Sequence, residues 1–254
     1  MIFAIPYQPF NAIPIGPITI YMWGIMVAIA FLVGTYFAVK EAKRRGMNVD
    51  KIYNLLILII VGALIGSRIF YFIFYRHEGA AIGLIDFFKV WEGGLSFFGG
   101  FVGAFAVGTW YILRTKMGFW RTADLLAPSI AIGHAIGRVG CYLTGLHTGK
   151  LTTVPWGIAV DGAVRHSTPM YEFIGLTIIF FILMNLRKKE KFEKLHGFLF
   201  SSYLIGYGVI RFISDFFRAD DPTYIGLTLA QYIAIAIFVF GVGYLAVKAK
   251  KHKV

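Results

Sequence analysis

Residues 52–75 read IYNLLILIIVGALIGSRIFYFIFY, a run of 24 positions with one formal charge, Arg68. A helix rises 1.5 Å per residue, so about 20 apolar residues cross a hydrocarbon layer of ~30 Å. Inside that layer the backbone must satisfy its own hydrogen bonds, which makes this run a spanning helix. Six further stretches follow the same rule, at 18–39, 95–113, 123–140, 170–186, 197–213 and 225–247. The stretch at 123–140 holds Asp124, Pro128, Ser129, His134 and Arg138, so it is expected to pack inside the bundle or to be partly irregular. The expected fold is an all-α integral membrane protein with seven transmembrane helices and a single domain over residues 1–254. Composition agrees: 58% of residues are hydrophobic and 15% charged, against about 25% charged in soluble domains.

The net charge of +12 is a topology signal. Of the 25 Lys and Arg residues, 17 follow odd-numbered stretches: Lys40, Lys43, Arg44, Arg45 and Lys51; Arg114, Lys116 and Arg121; Arg187, Lys188, Lys189, Lys191 and Lys194; Lys248, Lys250, Lys251 and Lys253. Cytoplasmic loops collect such residues, so the N-terminus is expected outside and the C-terminus in the cytoplasm. The cations are spread over loops rather than gathered on one face, and a nucleic-acid partner is not needed to explain them. The first 17 residues, MIFAIPYQPFNAIPIGP, lack a positive region and a small-residue cleavage site, and read as an interfacial lead-in rather than a removable signal. The outer segment 141–169 is punctuated by Gly145, Gly149, Pro155, Gly157 and Gly162, which predict loops or a short hairpin. A single cysteine, Cys141, excludes an internal disulfide and a multi-thiolate zinc site.

Eight cations remain: Arg68, Arg76, Lys89, Arg138, Lys150, Arg165, Arg211 and Arg218. Arg68, Arg138 and Arg211 fall inside or at the outer end of apolar runs, where each arginine costs about 2.5 to 3.5 kcal/mol. Asp215, one helical turn after Arg211, is the local partner. Glu172 and Asp124 are the other intramembrane carboxylates, and three arginines set against so few acids predict an anionic ligand. Guanidinium groups bind phosphate bidentately and stay charged, so the expected site is a phospholipid headgroup pocket in the outer half of the bundle. Gly93, Gly94, Gly99, Gly100 and Gly103, in WEGGLSFFGGFVG, permit close approach, either of packed helices or of a substrate in a cleft. Ser96 in that string lacks an evident base and acid and receives no catalytic role.

Five strings, GLSFFGG at 94–100, HAIGRVGCYLTG at 134–145, PWGIAV at 155–160, RHSTPMYE at 165–172 and YGVIRFISDFFR at 207–218, together resemble the prolipoprotein diacylglyceryl transferases. The resemblance is collinear over nearly the whole chain. It implies a seven-helix, multi-pass protein of the inner membrane with its N-terminus outside. It also implies an enzyme that moves the diacylglyceryl group of phosphatidylglycerol onto the lipobox cysteine of a prolipoprotein, whose signal peptide it engages, as the first step of lipoprotein maturation. Arg138 matches the arginine of the family's GRxGN signature and Arg211 that of its YGxxR motif, both implicated in holding the phosphoglycerol. Arg68, Tyr171 and Gln231 complete the expected substrate-binding set, and Glu172 would hold Arg138 or Arg165 in register. No metal or other cofactor is called for, since cationic donors can assist departure of a phosphate ester.

Five positions depart from the family pattern. Phe98 stands where a histidine proposed to deprotonate the thiol is usual. Cys141, Thr144 and Leu146 replace two asparagines and an acidic residue, and Trp23 aligns with a tyrosine. Either another base serves, or the chain is a catalytically silent or re-purposed lipid-binding paralogue. His166, matching a histidine in the family's RHPxQxYE motif, is the first substitute, because imidazole titrates near neutral pH. His134 reads as a core histidine, and His147 as a solvated or functional loop residue. A proton-coupled transporter is the third reading, opposed by the lack of an inverted-repeat pattern.

Overall fold

The computed structural model describes residues 4–16, 18–74, 87, 94–160, 162–219 and 221–251. Tyr75, Arg76, Lys89, Gly93 and Lys253, named above, lie outside the described residues. Seven described helices have 18 residues or more: α1 (Met22–Arg44), α2 (Val49–Phe74), α3 (Phe97–Arg114), α4 (Phe119–Leu143), α5 (Thr168–Leu186), α7 (Phe198–Asp215) and α8 (Leu229–Lys251). A four-residue helix, α6 (Glu190–Glu193), sits between α5 and α7. Five of the long helices, α1, α2, α3, α5 and α8, are long and apolar enough to cross a membrane. The other two, α4 and α7, carry Arg138 and Arg211 of the site.

The all-α expectation needs correction, because eight short strands are described. The lead-in and the outer segment build one four-stranded sheet in the order β1-β5-β6-β4, from β1 (Ile5–Pro6), β4 (Thr148–Leu151), β5 (Ile158–Val160) and β6 (Ala163–Ser167). β2 (Ala12–Ile15) and β3 (Ile18–Tyr21) pair as an antiparallel hairpin, as do β7 (Thr223–Tyr224) and β8 (Leu227–Thr228). Two expected spans therefore begin on strands. Residues 18–21 alternate β-branched and polar or aromatic side chains against β2, and the helix opens only at Met22, whose N–H donates to the Asn11 carbonyl at 2.9 Å. At the other end, Ile225 and Gly226 both take positive φ, 52° and 83°, the two-residue turn that closes a hairpin, so helix begins at Leu229.

The chain divides into two compact units, Met1–Ala38 with Ala123–Val254, and Val39–Thr122. The first unit centres on α4, where Ala127, Ala131 and Ala135 recur every fourth residue and are fully buried. Their small side chains admit Leu176, Ile179, Phe180 and Leu183 of α5 and Leu199 and Tyr203 of α7, and the Phe37 ring meets Phe180 edge-on at 5.0 Å. α4 is continuous through Pro128 rather than broken. Asp124 ties α4 to α7 by accepting the Gly197 and Phe200 N–H groups at 2.6 and 2.9 Å, so this carboxylate caps a helix N-terminus.

In the second unit α2 and α3 meet through two pairs of glycines four residues apart, Gly62 and Gly66 against Gly99 and Gly103. A Cβ placed at Gly66 would lie 2.3 Å from the Gly99 carbonyl oxygen, and one at Gly103 would lie 2.1 Å from that of Gly62. Backbone contact of this kind is what small residues allow between membrane helices, and it assigns Gly99 and Gly103 to packing. Ser96 is the N-cap of α3, its hydroxyl accepting the Gly99 N–H at 3.4 Å.

Candidate functional site

Within the first unit, the ends of α4, α5 and α7 bring together a row of alternating charges. Glu172 is fully buried in the second turn of α5. Its carboxylate receives Arg138 Nη2 of α4 at 2.7 Å and Arg211 Nη1 of α7 at 2.8 Å, with the Ser214 hydroxyl at 3.3 Å. Arg211 Nη2 reaches Asp215 one turn later at 2.8 Å, the pairing its spacing predicts. Asp215 also faces Arg218 Nε at 3.5 Å, and Arg218 pairs with Asp221. The row runs Arg138, Glu172, Arg211, Asp215, Arg218, Asp221.

Three guanidinium groups and three carboxylates balance, and this corrects the argument from a shortage of counter-ions. One carboxylate has two oxygens and serves two arginines, so the burial of Arg138 and Arg211 is compensated by protein acids. The row still leaves a donor to spare: Arg138 Nε is buried and makes no hydrogen bond among the described residues. Arg68 belongs to the second unit, where its Nε and Nη1 donate to the carbonyls of Phe87 and Gly94 at 3.1 and 2.9 Å and its guanidinium lies 5.5 Å from the Phe72 ring.

The three histidines occupy different settings. His134 Nδ1 lies 3.3 Å from the Tyr203 hydroxyl and its ring 4.9 Å from that of Tyr207, a core histidine among tyrosines. Tyr207 in turn hydrogen-bonds Arg138, a contact the sequence reading missed although YGVIR contained it. His147 sits on the loop between α4 and β4 with φ 62°. Partial desolvation, followed by the charges of Arg218, Arg138 and Arg211, lowers its pKa to about 4, with Glu172 opposing. His166 lies on β6, with Nδ1 2.8 Å from the Tyr171 hydroxyl and its ring 4.9 Å from Phe217; burial lowers its pKa.

Tyr171 and Gln231 are both engaged by the protein. The Tyr171 hydroxyl also accepts the Trp156 indole N–H at 3.1 Å. Gln231 closes a capping box on α8: its Oε1 accepts the Thr228 N–H at 3.0 Å while the Thr228 hydroxyl accepts the Gln231 N–H at 3.1 Å. Its Nε2 donates to the Phe212 carbonyl at 3.4 Å. The same Thr228 hydroxyl donates to Asp215, so the box braces the row of charges.

The divergent positions are chemically mute. Phe98 is half exposed and lines a hollow of about 430 Å³ with Tyr71, Gly94, Leu95, Ser96 and Phe97. Cys141 is a buried free thiol, the Thr144 hydroxyl donates to its own helix at Gly140, and Leu146 is exposed. Among the described residues no group of three or more His, Cys, Asp or Glu side chains is placed to hold a metal ion.

The family model for prolipoprotein diacylglyceryl transferase matches residues 11–247. Among curated relatives, the phosphatidylglycerol–prolipoprotein diacylglyceryl transferase of Pasteurella multocida is 34% identical over 87% of this chain and 83% of its own length. The protein of that name from Geobacillus kaustophilus is 34% identical over 96% and 94%, and that from Aromatoleum aromaticum 32% over 92% and 93%. A match that runs from β2 through most of α8, carrying the arginines that Glu172 joins, leaves one conclusion: the chain belongs to the prolipoprotein diacylglyceryl transferase family.

Proposed function

We propose that this protein transfers the diacylglyceryl group of phosphatidylglycerol to the cysteine thiol of prolipoproteins. The family match over residues 11–247 carries the reading, and the curated relatives bear the name of that activity. The thiolate sulfur attacks C3 of the diacylglyceryl group, the carbon–oxygen bond to phosphate breaks, and glycerol 1-phosphate departs with the electron pair. Arg138 and Arg211 are the groups proposed to hold the phosphate and to steady the charge that grows on it. Glu172 fixes the separation of their guanidinium groups, and Arg138 Nε, buried without a partner among the described residues, is the donor kept for the lipid. His166 is the imidazole proposed to serve the reaction at this site.

Tyr171 and Gln231 are proposed to act through neighbours, Tyr171 by orienting His166 and Gln231 by bracing Asp215. Arg68 is proposed to anchor the chain around Gly94 beside Phe98. The protein is proposed to cross the inner membrane seven times with its N-terminus outside, α4 and α7 being admitted because their charges pair inside protein. The acceptor is proposed to present its cysteine from a signal peptide lying in the bilayer. Incubating purified protein with phosphatidylglycerol and a lipobox peptide tests the reading: a peptide mass gain of one diacylglyceryl group supports it, and bound lipid without mass gain would return the chain to the silent paralogue.

A further inference from the structure

Trp156 in the turn before β5, Tyr171 in the first turn of α5 and His166 on β6 form a hydrogen-bonded line. Trp156 Nε1 is 3.1 Å from the Tyr171 hydroxyl, which is 2.8 Å from His166 Nδ1. Chemistry fixes the direction of the first of these bonds. An indole nitrogen can only donate, so Tyr171 Oη accepts from Trp156. That leaves the phenolic hydrogen free to donate, and the acceptor in reach is His166 Nδ1. A neutral imidazole that accepts at Nδ1 carries its proton on Nε2.

Packing holds the ring in that register. Phe217 stands 4.9 Å from His166 and 5.8 Å from Tyr171, centroid to centroid. On the adjacent strand Gly149 leaves no room for displacement, since a Cβ there would lie 2.7 Å from that of His166. Tyr171 and Phe217 directly precede in sequence Glu172 and Arg218, members of the charge row, and burial lowers the pKa of the imidazole.

We propose that Trp156 and Tyr171 are positioning residues that lock His166 in the Nε2–H tautomer, so that His166 donates a hydrogen bond to an oxygen of the phosphoglycerol group rather than accepting a proton from the thiol. This rests on the transferase reading. The histidine that the sequence nominates as a substitute base becomes a neutral donor at the leaving group; no proton leaves it in the step, and the thiol's proton passes to the departing phosphate, which gains a negative charge as its bond to C3 breaks. Preorganised donors of this sort stabilise developing anionic oxygens.

The test uses the full-length protein in nanodiscs with its 6 histidines labelled with nitrogen-15, the His166 resonances being assigned by their loss in His166→Gln. The expected wild-type spectrum has an unprotonated Nδ1 and a protonated Nε2, and glycerol 1-phosphate shifts the Nε2–H resonance. Tyr171→Phe is expected to mix the tautomers, with Trp156→Phe intermediate. His166→Gln is expected to lower the lipidation rate about a hundredfold, the size typical of one lost oxyanion donor, with the KM for peptide unchanged. A wild-type His166 protonated on Nδ1, a Tyr171→Phe spectrum identical to wild type, or an Nε2–H resonance indifferent to glycerol 1-phosphate overturns the proposal. Failure of the wild type to lipidate peptide, with the tautomer and the phosphate shift as stated, counts against the transferase reading and leaves the lock standing.

Discussion

Replacing Glu172 with glutamine keeps the side-chain shape and removes the charge shared by Arg138 and Arg211. The carboxylate is fully buried and lies 2.7 and 2.8 Å from the two guanidinium groups, so one amide NH₂ must face a cation and the row gains a net positive charge. Breaking a buried ion pair by removing one partner costs about 3–5 kcal/mol. Arg211 keeps Asp215 at 2.8 Å, which holds the expected loss to about 3 kcal/mol. For a chain of this size that corresponds to a fall of roughly 6–12 °C in the unfolding midpoint. The assay is thermal unfolding in a zwitterionic detergent at one fixed scan rate. Added phosphatidylglycerol should then restore part of the loss in Glu172→Gln, because a lipid phosphate supplies the missing negative charge, whereas phosphatidylcholine should not. A variant that melts with the wild type, or that responds equally to both lipids, would refute the reasoning.

Other outcomes follow from the same structure. Gly66→Val should separate α2 from α3, since even its Cβ would meet the Gly99 carbonyl at 2.3 Å; a cost of about 1–3 kcal/mol is checked by thermal unfolding, and Ala at Gly137, where nothing lies within 4 Å of a built Cβ, is the neutral control. His147 has a folded pKa near 4 against an unfolded value near 6.5, so the unfolded chain binds the proton first. Stability should therefore decline as pH falls from about 6.5 towards 4, and His147→Asn, which tolerates the left-handed backbone, should flatten that decline in a pH series of melting curves. Thr228→Val removes both the α8 cap and a donor to buried Asp215, and should cost about 1–3 kcal/mol by the same assay.

The long helices were legible because a run such as 52–75 has few other physical fates. Strands β3 and β7 were not, since residues 18–21 and 223–228 differ from helix mainly in having a partner segment, and hydropathy is blind to partners. The arginines were found by their cost in an apolar setting, but counting charges one to one failed at Glu172, whose two oxygens take two guanidinium groups. Arg218 was counted among the remaining cations without a partner and Asp221 was not considered, although they extend the row begun by Arg211 and Asp215. Gln231 drew attention as a member of the expected substrate-binding set. The pattern Thr228-Leu-Ala-Gln231 held its explanation in a capping box, and only the strand before it shows where α8 begins. Tyr207 and Trp156 lay inside motifs already quoted, yet what they touch depends on helices and strands far apart in sequence.

The decisive measurement is the mass of a lipobox peptide after incubation with phosphatidylglycerol and either purified wild-type protein or the Arg138→Ala variant, each first shown to be folded. A diacylglyceryl mass gain with the wild type, reduced at least about a hundredfold in Arg138→Ala, is the predicted result. No gain with the wild type, or an equal gain with both, would contradict it.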